Sequence, residues 1–138
     1  MRYYLDTNIL VFVLLDQLNE IDNSVIEVLK DYSNLFYIST IAMRELILLY
    51  KNGEIKKSKY KTYKDIFHSI EELGYEIKPF TKQHVEIYSE LVPETDHKDP
   101  TDHMIIAQSI SDKIPVISSD KKFKLYEKQG LKLVFNKR

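Results

Sequence analysis

Cysteine is absent from this 138-residue chain, which excludes a disulfide framework and a thiolate-bound metal. The absence fits a reducing compartment, and a cytoplasmic protein is expected. Long apolar runs are missing too. The run Ile9 to Leu15 is far too short to span a bilayer and is followed by no small-residue cleavage site, so neither a membrane span nor a signal peptide is expected. Neither sign of charge prevails: 20 Lys and Arg stand against 21 Asp and Glu, and a net charge of −1 advertises no global basic field for nucleic acid. Glycine is scarce. Gly53, Gly74 and Gly130 each follow a helical pattern and suit a helix C-terminal turn. There are no repeats, low-complexity tracts or linkers.

What is present is the composition of a soluble globular protein, 43% hydrophobic and 30% charged. One domain covering residues 1–138, large enough for a real core, is expected. The pattern alternates. A strand over 2–6 leads into helices near 8–17 and 20–32. Phe36-Tyr37-Ile38 reads as a strand, followed by helices near 40–52 and 56–73. Glu76-Ile77-Lys78 is a short strand before helices near 81–91 and 100–112. Val116-Ile117-Ser118 is a strand, then comes a helix near 121–128 and a last strand from Lys132 to Phe135. Strands alternating with helices predict an α/β fold: a parallel sheet with right-handed crossovers and helices on both faces. Such sheets bind ligands beyond the carboxyl ends of their strands.

That rule gives the acids their interest. Asp6 ends the first strand, Asp120 follows Val116–Ser118, and Asp99 and Asp102 open the helix before it. Each has a plain structural alternative. Asp6 can cap the next helix, Asp120 can form an Asx turn or a cap, and Asp99-Pro100-Thr101-Asp102 is a helix-start signature. Asp102 nevertheless lies over Ile105 and Ile106, on an inward face. Glu45 shares a helix face with Ile41, Leu48 and Leu49, and an acid on a packed face needs a partner. Adjacent Arg44 points about 100° away, which leaves a distant lysine or a cation. Like carboxylates about 4 Å apart repel by roughly 4 kcal/mol at an effective dielectric near 20. A divalent cation removes that load, and all-oxygen ligands suit Mg²⁺ or Mn²⁺. His68, His84, His97 and His103 are scattered and suggest no zinc site, the first two belonging to solvated helix faces.

Residues 51–64 carry Lys51, Lys56, Lys57, Lys59, Lys61 and Lys64 against Glu54 alone. This is either a solvated helix face or an edge turned toward a polyanion. Tyr60 and Tyr63 interleave the lysines, so Lys57 and Lys61 are candidate contacts to a polyanion through phosphate binding beside aromatic stacking.

Four motifs, LDTNIL at 5–10, IAMREL followed by Asn52-Gly53-Glu54-Ile55, HKDPTDHMIIAQS at 97–109 and VISSDKKF at 116–123, occur in an order that resembles PIN-domain ribonucleases, and among them the VapC-type toxins of toxin–antitoxin pairs. The resemblance spans residues 5–123. It implies a compact α/β/α sandwich, metal-dependent endonucleolytic cleavage of RNA, an antitoxin partner and often a homodimer. It places Asp6, Glu45 and Asp102 at the core metal-binding acids, Asp120 at a more variable fourth acid and Asp99 at an accessory position that often caps a helix. Thr7, Asn8 and Ser118 fall where polar side chains orient carboxylates or water. Two positions depart from the pattern: Thr101 stands where an aromatic is common, and His103 where Arg is common. The loss of Arg at 103 puts in doubt any charged contact it would make to substrate or partner.

By the same resemblance, Asp6 and Asp102 are expected to bind Mg²⁺ or Mn²⁺ directly. Glu45 would act as a ligand or orient water, and Asp120 would serve a second ion or act through water, with one or two ions in all. The rival reading is a silent PIN-like scaffold that dimerises and holds a protein partner, and metal-dependent nuclease activity separates the two. A phosphoacceptor receiver domain also gathers acids at strand ends, but its middle strand would end in an acceptor Asp, and here that strand runs into Ser39 and Thr40.

Overall fold

The computed structural model describes residues 1–55 and 59–138. Five strands, β1 (Arg2–Leu5), β2 (Leu35–Ser39), β3 (Glu76–Lys78), β4 (Val116–Ser118) and β5 (Leu133–Phe135), form one sheet in the order β3-β2-β1-β4-β5, with every pair parallel. Helices α1 (Thr7–Leu14), α2 (Asn23–Lys30), α3 (Thr40–Lys51), α4 (Tyr63–Glu72), α5 (Lys82–Glu90) and α6 (Pro100–Asp112) flank it as an α/β/α sandwich, which is the predicted fold class. Among the described residues, no helix is long and apolar enough to cross a membrane.

The central strand is β1, whose Tyr4 and Leu5 are 1% exposed because they are covered on both faces. Ile38, Val116 and Ile117 of its neighbours are fully buried, as are Leu10, Ala42, Leu46, Ile66, Ile70 and Ile106 on the helices that close over them. Chain order reverses at β1: β2 lies on one side and the much later β4 on the other. Tyr4 pairs with both Tyr37 and Val116, and the Asp6 amide donates to the Ile117 carbonyl at 2.9 Å. The crevice at this switch point therefore opens beside Asp6.

Several element boundaries differ from the sequence pattern. The first helix ends at Leu14, and the second is a 3-10 turn (Leu18–Glu20) followed by the shorter α2. Of the lysine-rich helix expected over 56–73, the described residues 59–62 are not helical and α4 starts at Tyr63; residues 56–58 lie outside the described residues. The Asp65 carboxylate accepts from the amides of Lys61 and Thr62 at 3.0 and 3.1 Å, which fixes a helix start there and turns the preceding chain away. Lys59 donates to the Asp16 carboxylate at 2.7 Å and to the Leu14 carbonyl at 2.6 Å, and Tyr60 is buried with its hydroxyl on that same carbonyl. The last helix is 3-10 in form over Lys121–Gln129 and closes at Gly130, whose φ of 106° favours glycine.

Candidate metal centre

At the carboxyl ends of β1 and β4 a cavity of about 580 Å³ gathers Asp6, Glu45, Asp99, Asp102 and Asp120, with Glu54 also in its lining and, among the described residues, Arg138 as its one cation. These acids come from four separate parts of the chain. Asp6 stands in the turn from β1 to α1 and caps α1, accepting from the Thr7 amide at 2.8 Å. Its other oxygen accepts from the Ser118 hydroxyl at 2.6 Å. The Ser118 oxygen in turn accepts from the Asp120 amide at 3.0 Å, so one serine ties the first acid to the last. Asp120 caps the Lys121–Gln129 helix through the Lys122 amide, and Asp99 caps α6 through the Thr101 amide. The capping alternatives for Asp6, Asp99 and Asp120 are thus all real, and capping does not remove these carboxylates from the cavity.

Asp102, in the first turn of α6, caps nothing; its Oδ2 lies 3.0 Å from Nε2 of His97. Burial, reinforced by the negative charges of Asp99, Asp120 and Glu45, pushes its carboxyl up to about 8. Burial also raises Asp6 to about 7; the Ser118 hydrogen bond opposes this and the charges of Asp102 and Glu45 add to it. Thr7 contributes a second sign of incompleteness: its hydroxyl is buried and, among the described residues, has no hydrogen-bond partner. Two carboxyls held above their ordinary range and an unpaired hydroxyl, all oxygen donors around one cavity, fit a hard divalent cation. Asp6, Asp102, Asp120 and Glu45 are the groups that could hold it.

Glu45 departs from expectation. It does not lie on a packed face, because Leu48 beside it is 46% exposed and Leu49 only half-buried; together with Val11 and Phe12 these residues form the apolar wall of the open cavity. Glu45 faces solvent and the other acids, so no buried ion pair is needed. Thr7 and Asn8 line the cavity, and Asn8 accepts from the Ser119 amide at 3.5 Å. Ser118 is fully buried beneath it. Lys61 is exposed and outside the cavity lining, and Lys57 lies outside the described residues.

Of the two histidines expected on solvated helix faces, His68 is exposed on α4. His84 is buried, not solvated: its Nδ1 accepts from the Thr81 amide and its Nε2 lies 2.8 Å from Asp112. His97 is 2% exposed, and one ligand atom from each of His97, Asp102 and Asp120 lies within 4.8 Å of the others. Its hydrogen bonds define its role. The Tyr126 hydroxyl accepts from the Glu94 amide at 3.1 Å and has its own proton left for Nδ1 of His97 at 2.7 Å. The His97 proton is then on Nε2, donated to Asp102. Burial holds His97 below its usual range and therefore neutral. His103 packs edge-on against His97 and hydrogen-bonds its carbonyl at 3.0 Å. No periodic pattern marks His97, because it sits in the loop between α5 and α6.

A family model for the PIN domain matches residues 3–129. The chain belongs to the PIN-domain family. No curated protein matches it closely enough to count as a relative. Solved structures share the PIN fold at low identity. A chain in the crystal structure of VapBC2 from Rickettsia felis, bound to a DNA fragment from their promoter, is 23% identical over 99% of both chains, with a TM-score of 0.70. One in DNA-bound VapBC from Salmonella typhimurium is 19% identical over 98% of both, with a TM-score of 0.72. One in FitAcB from Neisseria gonorrhoeae is 23% identical, covering 97% of this chain and 96% of that one, with a TM-score of 0.66. In this PIN domain, then, the acid cavity sits at the sheet's switch point, and His97 and Tyr126 stand behind one of its acids.

Proposed function

We propose that the protein is a Mg²⁺- or Mn²⁺-dependent endoribonuclease acting as the toxin of a VapC-type toxin–antitoxin pair. The observation that carries this reading is the convergence of Asp6, Glu45, Asp102 and Asp120 on one cavity, with Asp6 raised to about 7 and Asp102 to about 8. A scaffold gains nothing from carboxylates that repel one another, whereas a nuclease needs them to hold a cation.

An RNA phosphodiester is an anion, and the bare cavity repels it. A bound divalent cation would supply the missing positive charge, polarise a phosphate oxygen and make water more acidic. The chain's own groups do the rest. Ser118 and the Thr7 amide hold Asp6 so that its carboxylate cannot rotate away, and the His97 N–H does the same for Asp102. Glu45, on the open wall, is placed to orient the attacking water and take its proton. The water oxygen forms a bond to phosphorus, the bond to the 3′ oxygen breaks, and that oxygen takes up a proton. The products are a 5′-phosphate and a 3′-hydroxyl. The half-exposed apolar wall of Val11, Leu48 and Leu49 beside the acids suits an antitoxin segment that covers the cavity. A homodimer is part of the same reading.

The test is incubation of purified, partner-free protein with single-stranded and structured RNAs in Mn²⁺, Mg²⁺ or EDTA. Cleavage is expected with metal and not in EDTA. Cleavage unchanged in EDTA would remove the metal from the reading, and a folded protein that cuts no RNA would favour the scaffold.

A further inference from the structure

In the lysine-rich segment before α4, Lys59 is neutralised by Asp16 and Lys61 lies away from the acids, while Lys56 and Lys57 lie outside the described residues. Another basic surface exists, which the sequence hides by dividing it between residues 121–124 and 137–138. It is a cavity of about 770 Å³ lined by Lys121, Lys122, Lys124, Lys137 and Arg138, with Phe135 in its wall. Asp120 and Arg138 line both this cavity and the acid one, so the two adjoin.

Five cations face one acid there, in a protein whose net charge is −1. Glu20 engages Arg138 at 2.9 Å. Among the described residues, Lys121, Lys122, Lys124 and Lys137 form no ion pair. The Lys122 ammonium donates to the Asp96 carbonyl, and the Lys124 ammonium sits 4.0 Å over the Phe135 ring. Four lysines with no paired acid among the described residues, converging on one concavity, call for a polyanion, as the neighbouring acids call for a cation. A scissile phosphate in the acid cavity has further phosphates on its strand, and the basic cavity begins at Asp120.

Building on the nuclease reading, we propose that this cavity binds the nucleotides on one side of the scissile phosphate of a single-stranded RNA. Lys121, Lys122, Lys124 and Lys137 take its phosphates, and a nucleotide drawn to Lys124 lies against Phe135. The apolar ring with cations around it is the combination that grips single strands without reading their sequence.

The test uses a double variant, Lys121→Ala with Lys137→Ala. Both side chains are exposed and make no internal hydrogen bond among the described residues, so the fold is spared. Lys61→Ala is the control. In EDTA, where nothing is cleaved, binding of a fluorescent single-stranded RNA of twelve nucleotides is measured against salt. Each lost phosphate contact lowers the slope of log affinity against log salt by about 0.7, so the double variant should lose about 1.4 and the control nothing. With Mn²⁺, the KM for the same RNA should rise while hydrolysis of bis(p-nitrophenyl) phosphate, too small to reach the second cavity, stays unchanged. An unchanged slope in the double variant, an equal loss in the control, or no affinity of the wild type for the RNA overturns the proposal. Loss of antitoxin affinity with an unchanged RNA slope would overturn it too, by assigning the surface to a protein. Wild-type protein that binds RNA with the expected slope but cuts neither substrate would fail the nuclease reading and leave the basic cavity standing.

Discussion

Asp102→Asn separates a carboxylate kept for a cation from one kept for its helix. Asn has the same size and keeps an oxygen for the His97 N–H, so the substitution removes charge and little else. Two effects oppose each other. Asp102 sits in the first turn of α6, where a negative charge gains roughly 0.3–1 kcal/mol from the helix dipole. Against this, its carboxyl stands at about 8 instead of 3.8. At pH 7 the folded protein must hold a proton that the unfolded chain has released. At about 1.4 kcal/mol per pH unit, this costs up to about 4 kcal/mol. Solvent at the cavity mouth and the residual cost of burying an amide reduce the gain to about 1–3 kcal/mol, which still outweighs the dipole. For a domain of this size that corresponds to a rise in Tm of roughly 3–12 °C. The assay is thermal unfolding in EDTA at pH 7 and again with Mn²⁺. The variant should melt higher than the parent in EDTA and lose most of the Mn²⁺-induced rise, since a ligand stabilises only the state that binds it. A variant that melts lower in EDTA and keeps its Mn²⁺ response would make Asp102 a helix-dipole residue and refute the reasoning.

Further outcomes follow from the same geometry. The raised carboxyls of Asp6 and Asp102 bind protons in the folded state that the unfolded chain releases near pH 4, so metal-free stability should fall as pH rises from about 4 to about 8; urea unfolding in EDTA at pH 5.5 and pH 8 checks this, and equal stabilities would contradict it. His97→Phe keeps a ring in the pocket and removes both hydrogen bonds, and should weaken Mn²⁺ affinity about tenfold or more by calorimetry, with His97→Gln recovering part of the loss through its amide N–H. An Mn²⁺ affinity untouched by His97→Phe would dismiss the positioning role. Ser118→Ala strips Asp6 of a donor and the Asp120 amide of an acceptor, and should cost about 1–3 kcal/mol in urea unfolding. A loss below a few tenths of a kcal/mol would mean that the Asp6–Asp120 link is replaceable.

The strands and the acids could be read from the sequence because their signals are local. Tyr3 to Leu5, Phe36 to Ile38 and Val116 to Ser118 are short apolar runs bounded by polar turns, and Asp6, Asp99 and Asp120 each stand at a junction between elements. What escaped was set by tertiary packing. His97 has no periodic neighbour to mark it; its function appears only when Tyr126, 29 residues later, folds against it. Glu45 shared its helix face with leucines, and only the fold shows that those leucines line an opening. The lysine run suggested a helix because residues 56–73 have helical composition, whereas Asp65 gathers the amides of Lys61 and Thr62 and starts α4 later. The basic cavity was invisible because no single stretch contains it.

The Ser118–Asp6 hydrogen bond joins residues 112 positions apart, and β1 cannot complete its pairing until β4 exists. A chain emerging from the ribosome presents Asp6 and Glu45 long before Asp102 and Asp120 have been made. During that interval its central strand has one neighbour instead of two, and its first acid has no serine. Parallel pairing across such sequence distances is slow to form. The four acids therefore come together only after synthesis has passed residue 120 and β4 has joined β1, so the cavity is a late product of folding.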